Sequence, residues 1–216
     1  MQFAIVMDFL NYLIQQHYPI KSDIMDIEDG KIAVKLARES IETFIRDGRQ
    51  TDVARKTPFS EERGVFVTIN KDEQLRGCIG YPYPIKPLGE GIVDSAINAA
   101  TNDPRFPSLS VKELAEIKIE VTILGKPEKL GVKPKDRPKE IKIGRDGLIV
   151  KRGFYQGLLL PQVPVEWNWD IEEFLCQTCF KAGLPPDCWL DDSTEVYRFK
   201  GQIFEERDEE VVERKI

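Results

Sequence analysis

Gly64-Val65-Phe66-Val67-Thr68-Ile69-Asn70-Lys71-Asp72-Glu73-Gln74-Leu75-Arg76-Gly77-Cys78-Ile79-Gly80 is the stretch that decides the fold. Residues 65–69 are rich in β-branched and aromatic side chains. Four polar residues follow, Asn70 to Glu73, before an apolar pattern resumes at Leu75, and this succession predicts a β-hairpin. Upstream, Ile32, Ala33, Leu36, Ala37, Ile41, Phe44 and Ile45 recur at helical spacing, which predicts a helix over 31–47 stopped by Gly48. Downstream, Pro82, Pro84 and Pro87 punctuate the chain before a helix over 88–100, with Leu88, Ile92, Ala96 and Ala99/Ala100 on one face. Ser110 and Glu113 have the spacing of a capping box for a short helix, and 117–124 alternates as a third strand.

From Gly125 to Arg145 the character changes, with Pro127, Pro134 and Pro138 among eight basic and three acidic residues. Its local excess of positive charge suits either a solvated crossing between lobes or contact with an acidic partner. A second hairpin is expected from 147–151 and 154–160 around Lys151-Arg152-Gly153. Asp170 should cap a helix whose Ile171, Phe174, Leu175, Thr178, Cys179 and Ala182 share a face and which ends at Gly183. Strands at 195–199 and 202–204 are expected to return to the first sheet, followed by a frayed acidic tail. Antiparallel pairing interleaved with helices indicates α+β. A large discontinuous lobe, 1–124 plus 193–216, would be joined by two crossings to a small lobe, 125–192.

The 216 residues are 41% hydrophobic and 31% charged, the composition of a soluble globular protein rather than a disordered chain. A net charge of −6 provides no overall positive field for phosphate backbones, so nucleic acid is the disfavoured partner. The longest apolar run, near residues 3–14, is interrupted by Asp8 and Asn11 and is too short to span a membrane. It lacks the pattern of a signal peptide, so a cytoplasmic location is expected. The single histidine, His17, excludes His-Glu-x-x-His zinc chemistry and any triad needing a second histidine. Neither dinucleotide fingerprint nor phosphate loop occurs, and no cofactor is implied.

Along a regular strand, Arg76 and Cys78 would point one way and Leu75 and Ile79 the other. A guanidinium beside a thiol favours the thiolate, and Gly77 and Gly80 leave room for a ligand or another backbone. Equally, Cys78 can serve as a small buried hydrophobe and Arg76 as the partner of a carboxylate. Cys176-Gln177-Thr178-Cys179 has redox spacing but lies inside a helix. With Cys188 these thiols fall one short of a closed zinc site, so no metal is assigned; a Cys179 to Cys188 disulfide is the better arrangement if the source is a hyperthermophile. Trp167, Trp169 and Trp189 are expected to be packing residues.

Leu75-Arg76-Gly77-Cys78-Ile79-Gly80 resembles the signature of the AMMECR domain family. Gly64-Val65-Phe66-Val67-Thr68, Asn102-Asp103-Pro104-Arg105-Phe106-Pro107, Gly157-Leu158-Leu159-Leu160-Pro161-Gln162-Val163 and Lys181-Ala182-Gly183-Leu184 resemble further family segments in order. The resemblance covers all but about the first twenty residues. It implies two unequal subdomains, each with an antiparallel sheet flanked by helices, and a signature strand facing the cleft between them. It implies no settled activity, though family genes in some prokaryotes neighbour or fuse with those of Memo-like and radical S-adenosylmethionine proteins, which are therefore candidate partners. With the resemblance, the six residues Leu75, Arg76, Gly77, Cys78, Ile79 and Gly80 become candidate ligand contacts. Arg105 joins them as a guanidinium aimed by a rigid loop, and Gln162 as an amide donor or acceptor. The expected function is binding of a bulky substrate or protein partner in the cleft. The alternative is an enzyme using Cys78 with Arg76 as electrostatic stabiliser, which requires a depressed thiol pKa.

Overall fold

A computed structural model of the protein describes residues 25–53, 59–208 and 210–215. The N-terminal apolar run and His17 lie outside the described residues.

Helix α1 spans Ile27–Asp47, four residues earlier than periodicity predicts, because Asp26 caps it by accepting a hydrogen bond from the Asp29 amide at 2.9 Å. Gly48, at φ 68°, closes it in the left-handed conformation. Strands β1 (Val65–Lys71) and β2 (Gln74–Tyr81) form the expected hairpin, and the turn is only Asp72-Glu73, both at positive φ. Helix α2 (Leu88–Thr101) packs between α1 and this hairpin, with Ile92, Val93, Ala96 and Ala100 buried. A 3-10 turn, Val111–Ala115, carries the Ser110/Glu113 capping box and leads into β3 (Ile117–Leu124).

The crossing contains a two-residue strand, β4 (Glu128–Lys129), and a 3-10 segment, Pro134–Glu140. Much of its positive charge is used internally. Arg137 is buried and donates to the carbonyls of Trp189 and Thr194, clamping the loop that leads into the last long strand. The second hairpin is β5 (Asp146–Arg152) and β6 (Tyr155–Leu159). A single-turn helix α3 (Val163–Glu166) precedes α4 (Ile171–Lys181), capped by Asp170 as expected. The Cys179–Cys188 disulfide forms, tying α4 to the 3-10 turn Cys188–Leu190.

Two expectations change. The pair of strands expected near the C-terminus is one strand, β7 (Glu195–Arg207). Its first half pairs with β4 and β5 and its second half with β3, so the two expected sheets are one antiparallel sheet of order β2-β1-β3-β7-β5-β6. The acidic tail is not frayed where it is described: β8 (Glu210–Arg214) pairs with β7, held by Val211 against the main core and by Arg214, which reaches Glu120 at 3.0 Å.

Side chains alternate along β7. Phe204 belongs to the core under α1 and α2, and Val196 to a second core under α4, both on the sheet's helical face. Tyr197 and Phe199 lie on the other face, in a third cluster with Ile149 that also gathers Phe66, Tyr83, Leu158 and Leu160. Trp189 is buried as expected. Trp167 is 68% exposed and stacks on Trp169 with ring centroids 6.1 Å apart.

Candidate functional site

Strand β2 is not regular. Ile69 pairs with Gly77 and Asn70 with Leu75, so Arg76 is the extra residue of a β-bulge. The bulge breaks the alternation on which Arg76 and Cys78 would share a face. It puts Leu75, 40% exposed, on the Asn70 side and turns Arg76 toward the 3-10 turn. There Arg76 donates from Nε to Glu113 at 3.0 Å and from Nη1 to the Pro107 carbonyl at 2.9 Å. Glu113 also accepts from the Ser110 amide at 2.9 Å. That amide, followed by Arg76 and the Ser110 hydroxyl, holds its carboxyl at about 2, below the ordinary range. Arg76 is thus committed to joining β2 to the loop at 103–110.

Both glycines of the hexapeptide are packing devices. A Cβ on Gly77 would stand 2.2 Å from the Ala99 carbonyl oxygen, where α2 crosses β2. A Cβ on Gly80 would stand 2.3 Å from the Val65 carbonyl oxygen and 2.5 Å from the Phe66 ring. Ile79 packs against the main core.

Cys78 pairs with Thr68, and both point to the sheet face opposite α1 and α2. The Cys78 main chain is turned outward, and the Asn102-Asp103-Pro104-Arg105 loop caps it: its amide donates to Asp103 Oδ2 at 2.9 Å, and its carbonyl accepts from Arg105 Nη2 at 3.3 Å. This satisfies the edge of β2 at that residue. Asp103 is buried, and hydrogen bonds from Arg105, with help from the Cys78 amide, hold its carboxyl far below the usual range. The Arg105 side chain is 53% exposed, yet fixed by Nε and Nη2 bonds to Asp103 at 2.9 and 2.7 Å. The guanidinium acting on the thiol is therefore Arg105's. Its effect is outweighed: burial pushes the Cys78 thiol up, against the opposing pull of the Thr68 hydroxyl at 3.4 Å and of Arg105. That direction is opposite to the one an activated cysteine needs.

Register shows what periodicity could not. Cys78 stands beside Thr68, Thr68 beside Glu120 and Glu120 beside Glu205, one row across four strands. Glu120 is 6% exposed, and burial raises its pKa against the attraction of Arg214. Pro161 covers the same face, lying near Gly201 and Thr122, and Thr122 Oγ1 is 3.5 Å from Glu120. Gln162 follows at the N-terminus of α3, its Oε1 buried without a hydrogen-bond partner among the described residues. Sequence reasoning missed Glu120 and Thr68; a lone Glu in the apolar alternation of residues 117–124 is the signal that marks the former.

A family profile, AMMECR1, matches residues 34–204. The chain belongs to the AMMECR1 family. Among AMMECR1 relatives, a protein from Thermococcus gammatolerans is 56% identical over 186 residues, covering 83% of this chain and 91% of the relative. One from Methanocella arvoryzae is 51% identical over 197 residues, covering 89% and 100%. The crystal structure of the uncharacterized protein PH0010 from Pyrococcus horikoshii superimposes with a TM-score of 0.82 at 48% identity, covering 90% of this chain and 100% of that one. These AMMECR1 proteins carry no assigned activity in their names. Among the described residues no helix is long and apolar enough to cross a membrane, and no three His, Cys, Asp or Glu side chains are grouped to hold a metal ion.

Proposed function

We propose that this AMMECR1 protein is a binding protein, and that it receives a bulky substrate or a protein partner on the sheet face carrying Cys78, Thr68 and Glu120. The observation that carries this reading is Glu120, a carboxyl buried in mid-sheet where the cost in solvation outweighs the attraction of Arg214. With Oε1 of Gln162, which has no partner among the described residues, it supplies acceptors for a donor-bearing ligand such as peptide amides. On this reading Arg76 and the two glycines are architecture, and Arg105 presents a fixed guanidinium at the rim. The face would lie between two unequal subdomains, with the division falling inside β7 where its pairing changes from β5 to β3. A strand continuous through both halves favours a preformed cleft over one that opens by a hinge.

Glu120→Gln tests the assignment. Its folded pKa is raised above the unfolded value, so stability falls as pH climbs from the unfolded to the folded pKa and stays lower above it, and Gln removes that cost at pH 7. The expected result is an equal or higher urea midpoint at pH 7, the trade-off of a site residue kept for function. A sharply lower midpoint would make Glu120 the anchor of β8 through Arg214 and sink the assignment. Alkylation of Cys78 separates binding from cysteine catalysis: the thiol should react more slowly at pH 7 than a free thiol of pKa about 8.5. Fast reaction with a lower apparent pKa would restore the enzyme alternative.

A further inference from the structure

On the helical face of β7, Arg198 and Lys200 lie where neither main core reaches, between Val196 of one and Phe204 of the other. A groove of about 210 Å³ opens there, walled on one side by Lys126 and Glu128 and on the other by Arg145 and Asp146. Four cations face two carboxylates, and both carboxylates are already committed. Asp146, with its side chain 2% exposed, accepts from Arg145 Nε at 2.7 Å and from the Lys142 amide at 2.9 Å. Glu128 accepts from Arg198 Nε and Nη2, each at 3.2 Å, and Arg198 Nη1 is taken by the Glu140 carbonyl at 2.7 Å. Lys126 and Lys200 remain. Among the described residues neither ammonium group has a hydrogen-bonding or ion-pairing partner, and the Gly125 amide, donating to the Lys200 carbonyl at 2.8 Å, holds the two segments side by side.

We propose that this groove is an anion site for a phosphate-class dianion, either free phosphate or the phosphomonoester of a small molecule. Two unpaired ammonium groups on one groove repel each other, and a doubly charged ligand turns that repulsion into two charge-assisted contacts. Lysine suits this role as a point charge with three donors. The basic crossing thereby gains a specific role: Arg137 and Lys129 are spent within the fold, whereas Lys126 is left to the ligand. Because Arg198 and Lys200 alternate with Tyr197, Phe199 and Gly201, the groove lies on the opposite face of the sheet from Cys78. The proposal is therefore independent of the binding face above.

The test is titration of the full chain with inorganic phosphate and with a sugar phosphate, by calorimetry and amide chemical shifts, at ionic strength held constant with sodium chloride. Saturable binding is expected, with shifts centred on Lys126, Arg145 and Lys200. Lys126→Gln and Lys200→Gln should each weaken it roughly tenfold, the size of one charge-assisted contact. Lys112→Gln, an exposed lysine on the 3-10 turn, should leave it unchanged. Tighter binding of the sugar phosphate identifies a phosphorylated metabolite as the occupant, and the reverse order identifies free phosphate. Lys126 and Lys200 are exposed, so the double variant should keep its urea midpoint and remain a fair test. Absence of saturable binding, binding that chloride reproduces, or affinity unchanged in the folded double variant overturns the proposal.

Discussion

Replacing Arg76 by Met decides whether the arginine of the signature strand serves a ligand or the fold. Met keeps much of the aliphatic volume and deletes the guanidinium. Two contacts have good geometry, Nε to Glu113 at 3.0 Å and Nη1 to the Pro107 carbonyl at 2.9 Å, while Nη2 to Glu113 at 3.5 Å is at the limit and is not counted. At about 1.5–3 kcal/mol for each bond to a charged group, the gross loss is about 3–6 kcal/mol. Methionine carries nearly the same side-chain entropy as arginine, so little of it is returned and the expected destabilisation stays at about 3–6 kcal/mol. The loss should depend on pH in a defined sense. Glu113 has its folded pKa depressed to about 2 from 4.5, so its contribution is fully present above 4.5 and disappears as pH falls toward 2. Part of that depression belongs to Arg76. Urea unfolding of the two proteins should therefore differ most at pH 5–7, with the gap shrinking between pH 4.5 and 2. In a double-mutant cycle with Glu113→Gln the pair should couple by at least about 0.5 kcal/mol, the range for groups in direct contact. Equal urea midpoints at pH 7, or a gap that ignores pH, would refute the argument and free Arg76 for a role in binding.

Gly77→Ala should lower stability by about 1–3 kcal/mol, because its Cβ must displace the backbone of α2 at Ala99; a midpoint within error of the parent would contradict that close approach. Reducing the Cys179–Cys188 disulfide, whose partners are 9 residues apart, should cost about 2–3 kcal/mol on the chain-entropy account. Thiol titration of the unfolded chain should find two reactive groups before reduction, Cys78 and Cys176, and four after it; four at the outset would show that the bond is absent.

Local elements were legible because their signals are local. The hairpin, the helix stop at Gly48, the capping box at Ser110 and Glu113, and the Asp170 cap depend on neighbours within a few positions, and each forms where it was expected. The register of β2 was not legible. Nothing in Leu75-Arg76-Gly77 announces a bulge, which arises because Arg76 must reach Glu113, 37 residues away, while Gly77 meets α2. Once the strand slips by one residue, alternation misassigns the faces of Leu75 and Arg76.

By itself the sequence determined the principal helices and hairpins, the α+β class and, through the hexapeptide with its companion segments, the family. Periodicity and capping encode elements because they act over a few residues, and motifs retain identity because the residues are read directly. Only the tertiary structure decided that one strand, β7, joins two expected sheets, that Arg105 rather than Arg76 attends Cys78, and that Glu120 lies one strand from Thr68 on the same face. Those facts depend on pairings between segments tens of residues apart, and pairing register is set by the packing of the whole sheet against its helices.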